Sequence, residues 1–452
     1  MENLNAIILA AGEGSRMKSK KAKVLHELFH KPMIAYVIEA GKEAGAKNVC
    51  IVVGNRAEQV KEAIGDTSVS FALQAEQKGT GHAVMMAEDM IDENSEILIL
   101  YGDTPLLQGD SLQEAIAEHK KASAAATVIT MVVENPMGYG RIVRDPAGNF
   151  SKIVEQKDAN ADEQKITEVN TGIYIFKGKF LKEALHNLKN NNAQGEYYLT
   201  DTLEYIKNQN AKVLPLVSDT PESYFGVNSR QQLAVAMKIM QRRINESHMA
   251  NGVTLIDPDT SYIDHSVKIG MDTVISGGCH LVGATEIGED CTIGAYTRLV
   301  DMKIGDGVEI QATTALESSI DNQAIIGPYA YIRPNSAIGE KAKIGDFVEI
   351  KNATIGKGTK VPHLSYIGDT DAGEKVNFGC GSIMVNYDGK KKYRTTVGDN
   401  VFVGCNANLV APVTVHEGAY VAAGSTITKD VTKEVLVVAR ARQVEIPNWK
   451  KK

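Results

Sequence analysis

Aliphatic residues return at nearly every sixth position through the second half of the chain, from Ile263 to Ile427. A period of six fits neither an α-helix, with its 3.6 residues per turn, nor a simple alternating strand. It predicts a parallel β-helix, in which short strands stack and each aliphatic side chain points into a narrow core. A β-sandwich with coincidental spacing is the alternative, and four runs in register disfavour it. The inward positions are Ile263, Ile269, Ile275, Leu281, Ile287, Ile293, Leu299, Ile304, Ile310, Ile326, Ile332, Ile338, Ile344, Ile350, Ile355, Val361, Ile367, Val397, Val403, Leu409, Val415, Val421 and Ile427.

Apolar strands alternate with helical segments in the first half of the chain. LNAIILA, NVCIVVG and EILILYG are typical of strands, and MIAYVIEAGKEAG and AVMMAEDMI of helices. This alternation predicts an α/β domain with a mainly parallel, Rossmann-like sheet that binds ligands at the carboxyl ends of its strands. Apolar residues at helical spacing from Leu233 to Ile244 predict an amphipathic connecting helix. We therefore expect a first domain at 1–228, a helical linker at 229–251 and a β-helix domain at 252–452.

Composition and charge narrow the class of protein. The 452 residues carry a net charge of −7, which disfavours a nucleic-acid partner but not small anionic substrates. The five cysteines show no C-x-x-C spacing, so we expect reduced thiols and no zinc site or disulfide framework. No apolar run approaches the roughly 18 residues of a membrane span. We expect a cytoplasmic protein without a membrane partner, with a solvated basic tail at 448–452.

A glycine-rich turn, AAGEGSRM, follows the first predicted strand. Backbone N–H groups in such a turn can bind an anion at the mouth of a parallel sheet. Met17 stands where the G-x-G-x-x-G fingerprint needs glycine, and no G-K-[ST] follows for a P-loop. Asp103 comes directly after ILILYG, where a carboxylate can hold Mg²⁺ against a nucleoside triphosphate. A turn-capping aspartate is the alternative.

This set of motifs resembles the sugar-1-phosphate nucleotidyltransferase family. The resemblance implies that the turn at 9–17 holds the nucleotide and that Lys23 contacts its phosphates, although Ala22 replaces the proline usual in that family. It also implies Mg²⁺ bound by Asp103 and Asn228. The residues matched to nucleotide and sugar binding are Leu9, Ala10, Ala11, Gly12, Gly14, Arg16, Lys23, Gln74, Gly79, Thr80, Tyr101, Gly102, Gly140, Glu155, Asn170 and Asn228.

Candidate chemistry in the second half begins with two cations. Arg333 and Lys351 each follow an inward aliphatic residue and lie eighteen positions apart. If three hexads form one coil, as in known hexapeptide-repeat proteins, the two side chains share a column with a spacing of about 4.8 Å. They would repel unless an anion bridged them, so the pair indicates a phosphate clamp; two solvated cations are the alternative.

A histidine and a break in the hexad pattern lie just beyond these cations. An imidazole titrates near neutral pH, so His363 is a candidate general base, with an ordinary surface histidine as the alternative. The hexad pattern breaks between Gly368 and Thr396, where we expect a loop ejected from the β-helix. Such loops often gather binding groups.

Essentially the whole chain is similar to the bacterial bifunctional N-acetylglucosamine-1-phosphate uridylyltransferase/glucosamine-1-phosphate acetyltransferase family, homotrimers built on a left-handed β-helix. The resemblance implies glucosamine 1-phosphate, acetyl-CoA and UTP as substrates, with His363 as the base. The resemblance also implies that the product, UDP-N-acetylglucosamine, feeds peptidoglycan and lipopolysaccharide precursors. Acetyl transfer directly to the amine is simpler than transfer through the Cys405 thiol. The resemblance places Arg333, Lys351, Tyr366 and Asn377 on the sugar phosphate, and Cys380, Asn386, Tyr387, Cys405, Ala423 and Arg440 at acetyl-CoA.

Two other functions stay open on the sequence. The chain could be a single-activity sugar nucleotidyltransferase whose β-helix only oligomerises, against which Arg333, Lys351 and His363 argue. It could also be a non-catalytic regulatory subunit that binds nucleotide sugars. Lys23 and Asp103 argue against the second alternative, because a sensor needs no metal-held leaving group.

Overall fold

The structure is a computed structural model that describes residues 3–54, 56–447 and 449. The chain divides into two compact units, Met1–Met240 and Gln241–Lys452. Of the expected tail at 448–452, all but the exposed Trp449 lies outside the described residues. No described helix is both long and apolar enough to cross a membrane.

The first unit consists of short strands and helices in alternation, as the sequence predicts. A long seventh helix follows, with its first half in this unit and the rest in the second. The strands are β1 Leu4–Ala10, β2 Glu27–Leu28, β3 Lys31–Pro32, β4 Asn48–Val53, β5 Val69–Leu73, β6 Glu96–Tyr101, β7 Ala126–Val132, β8 Arg141–Arg144, β9 Phe150–Val154, β10 Glu168–Lys177 and β11 Val213–Val217. The helices are α1 Met33–Glu43, α2 Ala57–Ile64, α3 Thr80–Met85, α4 Gly109–Lys121, α5 Gly178–His186, α6 Asp201–Asn208 and α7 Arg230–Ala250.

The sheet of the first unit has the strand order β11-β7-β10-β6-β1-β4-β5, with β8 and β9 beside β10. Along that path β10 runs antiparallel to its neighbours and the other pairs are parallel. Leu9 of β1 lies in register with Val52 and Tyr101, so β1, β4 and β6 end at one edge of the sheet. Apolar clusters cover both faces of the sheet. The predicted mainly parallel α/β fold is confirmed, and its strand ends define where a ligand can bind.

The second unit is a stack of two- to four-residue parallel strands on three faces, so the predicted β-helix is confirmed. The first face contains Thr254–Leu255, Val274–Ile275, Thr292–Ile293, Glu309–Ile310, Ile325–Ile326, Lys343–Asp346, Lys360–His363, Asn377–Phe378, Phe402–Val403, Tyr420–Val421 and Leu436–Val437. The second contains Tyr262–Ile263, His280–Val282, Arg298–Val300, Thr314–Leu316, Tyr331–Ile332, Glu349–Lys351, Tyr366–Gly368, Ile383–Val385, Asn408–Val410 and Thr426–Ile427. The third contains Lys268–Ile269, Glu286–Ile287, Lys303–Ile304, Ser319–Ile320, Ala337–Ile338, Thr354–Ile355, Thr370–Ala372, Thr395–Val397 and Val413–Val415.

The ejected loop is shorter than the hexad pattern predicts. Strands continue through most of the interval between Gly368 and Thr396, and only 386–394 leaves the coil. The inward positions there are taken by Ala372, Phe378 and Met384, all buried. These side chains interrupt the series of isoleucine, valine and leucine that defines the hexad pattern. The prediction of a longer loop is therefore wrong, because the strands continue beneath that interruption. We call 386–394 the ejected loop.

Candidate active sites

A cavity of about 260 Å³ lies where β1 and β6 end in the first unit. The glycine-rich turn forms one wall, and the segment leading into α3 forms another. Of the residues matched to nucleotide or metal binding, those that line it are Leu9, Ala10, Ala11, Gly12, Lys23, Gln74, Gly79, Thr80, Tyr101 and Asp103.

Lys23 sits between the two expected metal ligands. Its Nζ donates to Asp103 Oδ2 at 2.5 Å and to Asn228 Oδ1 at 3.1 Å. Lys23 and Asp103 are both largely buried. Two oxygens that converge on one cation are the kind of donor set that Mg²⁺ uses, with phosphate and water oxygens completing its shell. The residues therefore fit a magnesium site.

The glycine-rich turn packs directly against this lysine. Gly14 has a φ of +63°, and a Cβ there would lie 2.6 Å from Lys23 Cβ. Any larger residue would push the turn off the lysine. Gly12 and Arg16 are exposed, so their polar groups can meet a ligand. Gly102 supports the turn from below, because its N–H donates to Leu9 O at 3.0 Å.

The opposite wall of the cavity holds the groups matched to base recognition. Gln74 is buried, and its amide nitrogen is held by Gly79 O at 3.0 Å and by His82 Nδ1 at 3.1 Å. These bonds fix the orientation of the side-chain oxygen. Two polar lining residues were not predicted: Gln77, which donates to Ala11 O at 2.6 Å, and Glu196. Gln77 lies within the matched QAEQKGTGHA motif, whereas nothing in the spacing points to Glu196.

Gly140, Glu155 and Asn170 lie together beside Tyr101 rather than on the cavity wall. Asn170 N donates to Gly140 O at 2.9 Å, and a Cβ on Gly140 would lie 3.4 Å from Glu155 Oε1. Burial, and then the charge of Glu155, raise the pKa of Tyr101, so its hydroxyl stays protonated. The strand pairing of β8, β9 and β10 brings the three together.

An acidic cluster of Asp158, Asp201 and Glu204 lies near Glu155 and changes the pKa of Asp201. Burial, and then the charges of Glu204 and Asp158, raise the pKa of Asp201 to about 6. The unfolded chain releases this proton near pH 3.9. Folding therefore becomes less favourable as the pH rises from about 4 to about 6, and the full penalty remains above that range.

We expect Asp201→Asn to raise the free energy of unfolding of the first unit by about 1 to 2 kcal/mol at pH 8, since the amide stays neutral. Below about pH 4 the two proteins should melt alike. Thermal melts at both pH values measure this, with the exposed Asp219→Asn as the matched control. A stabilisation that persists unchanged at pH 4 would contradict the assignment.

The second unit has a cavity of about 580 Å³ at the corner that follows the second face. Arg333 and Lys351 line it as expected. The other lining residues are Pro334, Asn335, Asn352, Asp369, Lys392, Tyr393 and Arg394. Four cationic side chains thus surround a space that includes one carboxylate.

Arg333 and Lys351 lie on neighbouring coils. Ile332 pairs with Ile350, and Arg333 N donates to Ile350 O at 2.8 Å, which aligns the two cations. Each also has a carboxylate of its own. Arg333 pairs with Glu349 at 2.8 Å and Lys351 with Asp369 at 2.9 Å. The expected repulsion is therefore partly offset within the protein.

Lys392, which the sequence did not single out, restores the excess positive charge. It lies in the ejected loop, bridged to Tyr387 across that loop. Contact with the Lys351 ammonium, and then its charge, lower the pKa of Lys392. A phosphate in the cavity would reverse this effect, because an anion favours the charged ammonium. The cavity is therefore suited to an anion.

Asp369 is the centre of a buried hydrogen-bond network beside this cavity. It accepts bonds from Lys351 Nζ at 2.9 Å, Asn352 Nδ2 at 2.7 Å and Asn386 Nδ2 at 2.5 Å. Burial alone would raise the pKa of Asp369, but the bonds from Asn352 and Lys351 lower it below its usual value. Asn386 also donates to Tyr366 Oη at 3.2 Å. One carboxylate thus holds residues matched to both acetyl-transfer substrates.

For the acetyl transfer that the sequence resemblance implies, we expect Asp369→Asn to reduce kcat/KM by about 10- to 100-fold, because the new amide presents a donor to three existing donors. The matched control is Asp321→Asn, at an exposed β-helix aspartate outside the cavity. Steady-state kinetics with varied sugar phosphate measure both. Equal losses in the two variants would contradict a special role for Asp369.

His363 stands at another corner, where the first face turns into the second. Its Nδ1 lies 2.8 Å from Asp346 Oδ1 on the neighbouring coil. The bond to the carboxylate fixes the Nδ1–H tautomer and leaves Nε2 as a proton acceptor. Extending the registers that join the first-face strands aligns His363 with Cys380, then Cys405, then Ala423. We call Asp346, His363, Cys380, Cys405 and Ala423 the corner column.

The remaining matched residues are spread along the first and second faces and the ejected loop. Tyr366 lies over the second face, since a Cβ on Gly368 would collide with its ring and hydroxyl. Arg440 donates to Ala423 O at 2.6 Å, at the far end of the column. Asn377 starts the coil of Cys380, and the exposed Tyr387 bonds to Gly389 O within the ejected loop. None of these residues lines the anion cavity.

Known families match both halves of the chain. The Nucleotidyl transferase family matches residues 5–220, and the Bacterial transferase hexapeptide (six repeats) family matches residues 394–429. Proteins named Bifunctional protein GlmU are similar over nearly the full length. That of Caldanaerobacter subterraneus subsp. tengcongensis is 53% identical over 449 residues, covering 99% of this chain and 98% of the relative. Those of Clostridioides difficile and Acetivibrio thermocellus are 50% and 52% identical, covering 100% and 99% of this chain and 98% and 97% of theirs.

Similarity at this level extends across both units and both cavities. The sequence resemblance to a bifunctional bacterial transferase family is thereby confirmed. This chain belongs to the GlmU family of bifunctional proteins.

Proposed function

We propose that the chain makes UDP-N-acetylglucosamine in two steps, from glucosamine 1-phosphate, acetyl-CoA and UTP. The β-helix acetylates the sugar phosphate, and the α/β unit then joins the product to UMP. Membership in the GlmU family supports both activities. The product would supply peptidoglycan and lipopolysaccharide precursors.

In the first step the sugar phosphate lies across the second face of the β-helix. Arg333, Lys351 and Lys392 bind its phosphate, with Tyr366 and Asn377 along the sugar. His363 Nε2 takes a proton from the amine as its nitrogen attacks the thioester carbonyl. The carbon–sulfur bond breaks and CoA leaves. The corner column leads towards Arg440, so acetyl-CoA occupies its outer part. Asn386 and Tyr387 are assigned to the same substrate.

In the second step the phosphate oxygen of N-acetylglucosamine 1-phosphate attacks the α-phosphorus of UTP, and pyrophosphate leaves. Lys23 and Arg16 offset the charge that develops on the leaving group. Gln74 hydrogen-bonds the uracil, and Gly140, Glu155 and Asn170 hold the sugar phosphate. No side-chain nucleophile is required.

We propose that Mg²⁺ is held by Asp103 and Asn228. When bound, such an ion neutralises phosphate charge and orients the triphosphate. The Lys23 ammonium then moves from these two oxygens to the phosphates of the nucleotide.

We further propose a cytoplasmic homotrimer, since each β-helix exposes apolar side chains such as Tyr296, Tyr329 and Phe347 that a second copy would cover. The uridylyltransferase domain is assigned to 1–228, the linker to 229–251 and the acetyltransferase domain to 252–452. Light scattering with sedimentation velocity tests the trimer, and a monomer at working concentration would refute it.

The pairing of an anion cavity with a carboxylate-bound histidine on one β-helix carries this proposal. A β-helix that served only to oligomerise would have no use for Lys392 held against Lys351, or for His363 held by Asp346. The same pairing disfavours the single-activity alternative. A regulatory subunit would likewise not need Lys23 bound between two metal ligands.

Mass spectrometry of the products tests the proposal directly. The protein is mixed with glucosamine 1-phosphate, acetyl-CoA, UTP and Mg²⁺, and each component is omitted in turn. We expect UDP-N-acetylglucosamine that disappears without acetyl-CoA. Product formed only from sugar phosphate that is already acetylated would show that the β-helix is a scaffold.

A further inference from the structure

Two cysteines lie against each other in the corner column. Phe378 pairs with Val403, so the register places Cys380 opposite Cys405 two residues later. Asn406 N donates to Cys380 O at 2.8 Å. A Cβ built on Gly379 would lie 2.9 Å from Cys405 Cα. The two turns are therefore in direct backbone contact.

The two turns also have the same conformation. The residues that follow the cysteines, Gly381 and Asn406, have φ of +73° and +54°, both left-handed. Cys380 and Cys405 thus hold the same turn position, and their Cβ atoms leave the coil in the same direction. Neighbouring coils are about 4.8 Å apart. Disulfides span Cα separations of about 4.4 to 6.8 Å, so this spacing between the coils is within the range that a disulfide can bridge.

Accessibility separates this pair from the other cysteines. Cys50, Cys279 and Cys291 are buried, and burial raises the pKa of each of their thiols. Cys405 is exposed and Cys380 is half-buried. Thiol–disulfide exchange needs a thiolate that an attacking or leaving partner can reach. A disulfide reagent should therefore react at Cys405 and then Cys380.

We propose that Cys380 and Cys405 form a dithiol site that a disulfide of the CoA class oxidises, which switches off acetyl transfer. The Cys405 thiolate attacks one sulfur of CoA disulfide, the S–S bond breaks, and one CoA leaves as its thiolate. The Cys380 thiolate then attacks the Cys405 sulfur, expelling the second CoA. The two cysteines lose two electrons and two protons, and the CoA disulfide becomes two CoA thiols.

This inference rests on the proposed acetyl-CoA site, because that site would concentrate a CoA disulfide at the column. His363 lies one coil from Cys380. A disulfide, or a CoA adduct on the way to it, would occupy the path between the thioester and the base. Uridylyl transfer takes place in the other unit and should continue.

The test oxidises the reduced full-length protein with CoA disulfide and, separately, with diamide, a small oxidant that needs no CoA site. Both activities are then assayed, and free thiols are alkylated before peptide mass mapping. We expect CoA disulfide to lower acetyl transfer by about ten-fold or more, with uridylyl transfer retained and dithiothreitol restoring the loss. Mapping should find a Cys380–Cys405 crosslink.

Three variants separate the steps, each scored against its own untreated activity. Cys380→Ala should stop at a CoA adduct on Cys405, Cys405→Ala should form neither adduct nor crosslink, and the control Cys279→Ala should crosslink as the wild type does. The proposal would be overturned if both thiols were still free to be alkylated after treatment with CoA disulfide, or if the wild-type protein stopped at a CoA adduct. It would also be overturned if the crosslink formed with diamide but not with CoA disulfide. If the untreated protein showed no acetyl transfer, the proposed function would be refuted instead. The crosslink formed with CoA disulfide could still be measured in that case, so the two failures can be told apart.

Discussion

Replacing His363 with alanine should lower acetyl transfer by about two to four orders of magnitude, the usual contribution of a general base. The amine of the sugar phosphate must give up a proton as its nitrogen attacks the thioester. His363 is the group positioned to take it, because Asp346 holds Nδ1 at 2.8 Å and leaves Nε2 free to accept. Uridylyl transfer should stay at the wild-type rate.

The measurement is CoA release, followed by a thiol reagent, alongside pyrophosphate release from UTP and acetylated sugar phosphate. His416→Ala is the matched control, since His416 is an exposed β-helix histidine outside the corner column. Asp346→Asn should have a smaller effect than the loss of the imidazole, of about ten-fold, because it only misorients the ring. Equal loss of both activities in a folded His363→Ala protein would contradict two separate sites.

The β-helix could be predicted from sequence because every coil must bury an apolar side chain at the same three places, and in most coils that side chain is aliphatic. Burial alone determines this hexad pattern, so substitutions at outward positions do not alter it. It is hidden where Phe378 and Met384 fill the core, since an aromatic and an unbranched side chain do not look like members of the hexad series. Ala315 and Ile320 likewise continue the core where the sequence pattern lapses.

The details of the two sites could not be predicted in the same way. The partners of Lys23 are 80 and 205 residues away, and spacing along the chain cannot show that one ammonium would lie between them. Asp369 reads as an ordinary turn aspartate until the coils stack Lys351 below it and Asn386 above it. Lys392 reaches the anion cavity only because the ejected loop folds back over it. These contacts depend on tertiary structure, where side chains rather than periodicity decide the outcome.

Replacing Asp103 with asparagine should reduce uridylyl transfer by about two to three orders of magnitude and leave acetyl transfer intact. The substitution keeps the size of the side chain but removes the charge that both Lys23 and a magnesium ion need. The activity that remains should require a higher Mg²⁺ concentration, because an amide oxygen is a weaker ligand for a hard cation than a carboxylate.

Pyrophosphate release at increasing Mg²⁺ concentrations measures both effects, with Asp110→Asn, an exposed change at the start of α4, as the control. The Lys23→Ala variant tests the proposed role of Lys23 separately. Lys23→Ala should lower the rate at saturating Mg²⁺ without raising the Mg²⁺ requirement, because the two oxygens remain in place and lose a competing cation. If Asp103→Asn and Lys23→Ala shifted the Mg²⁺ requirement equally, Asp103 would be acting through Lys23 alone, and the assignment of this carboxylate to the metal would be wrong.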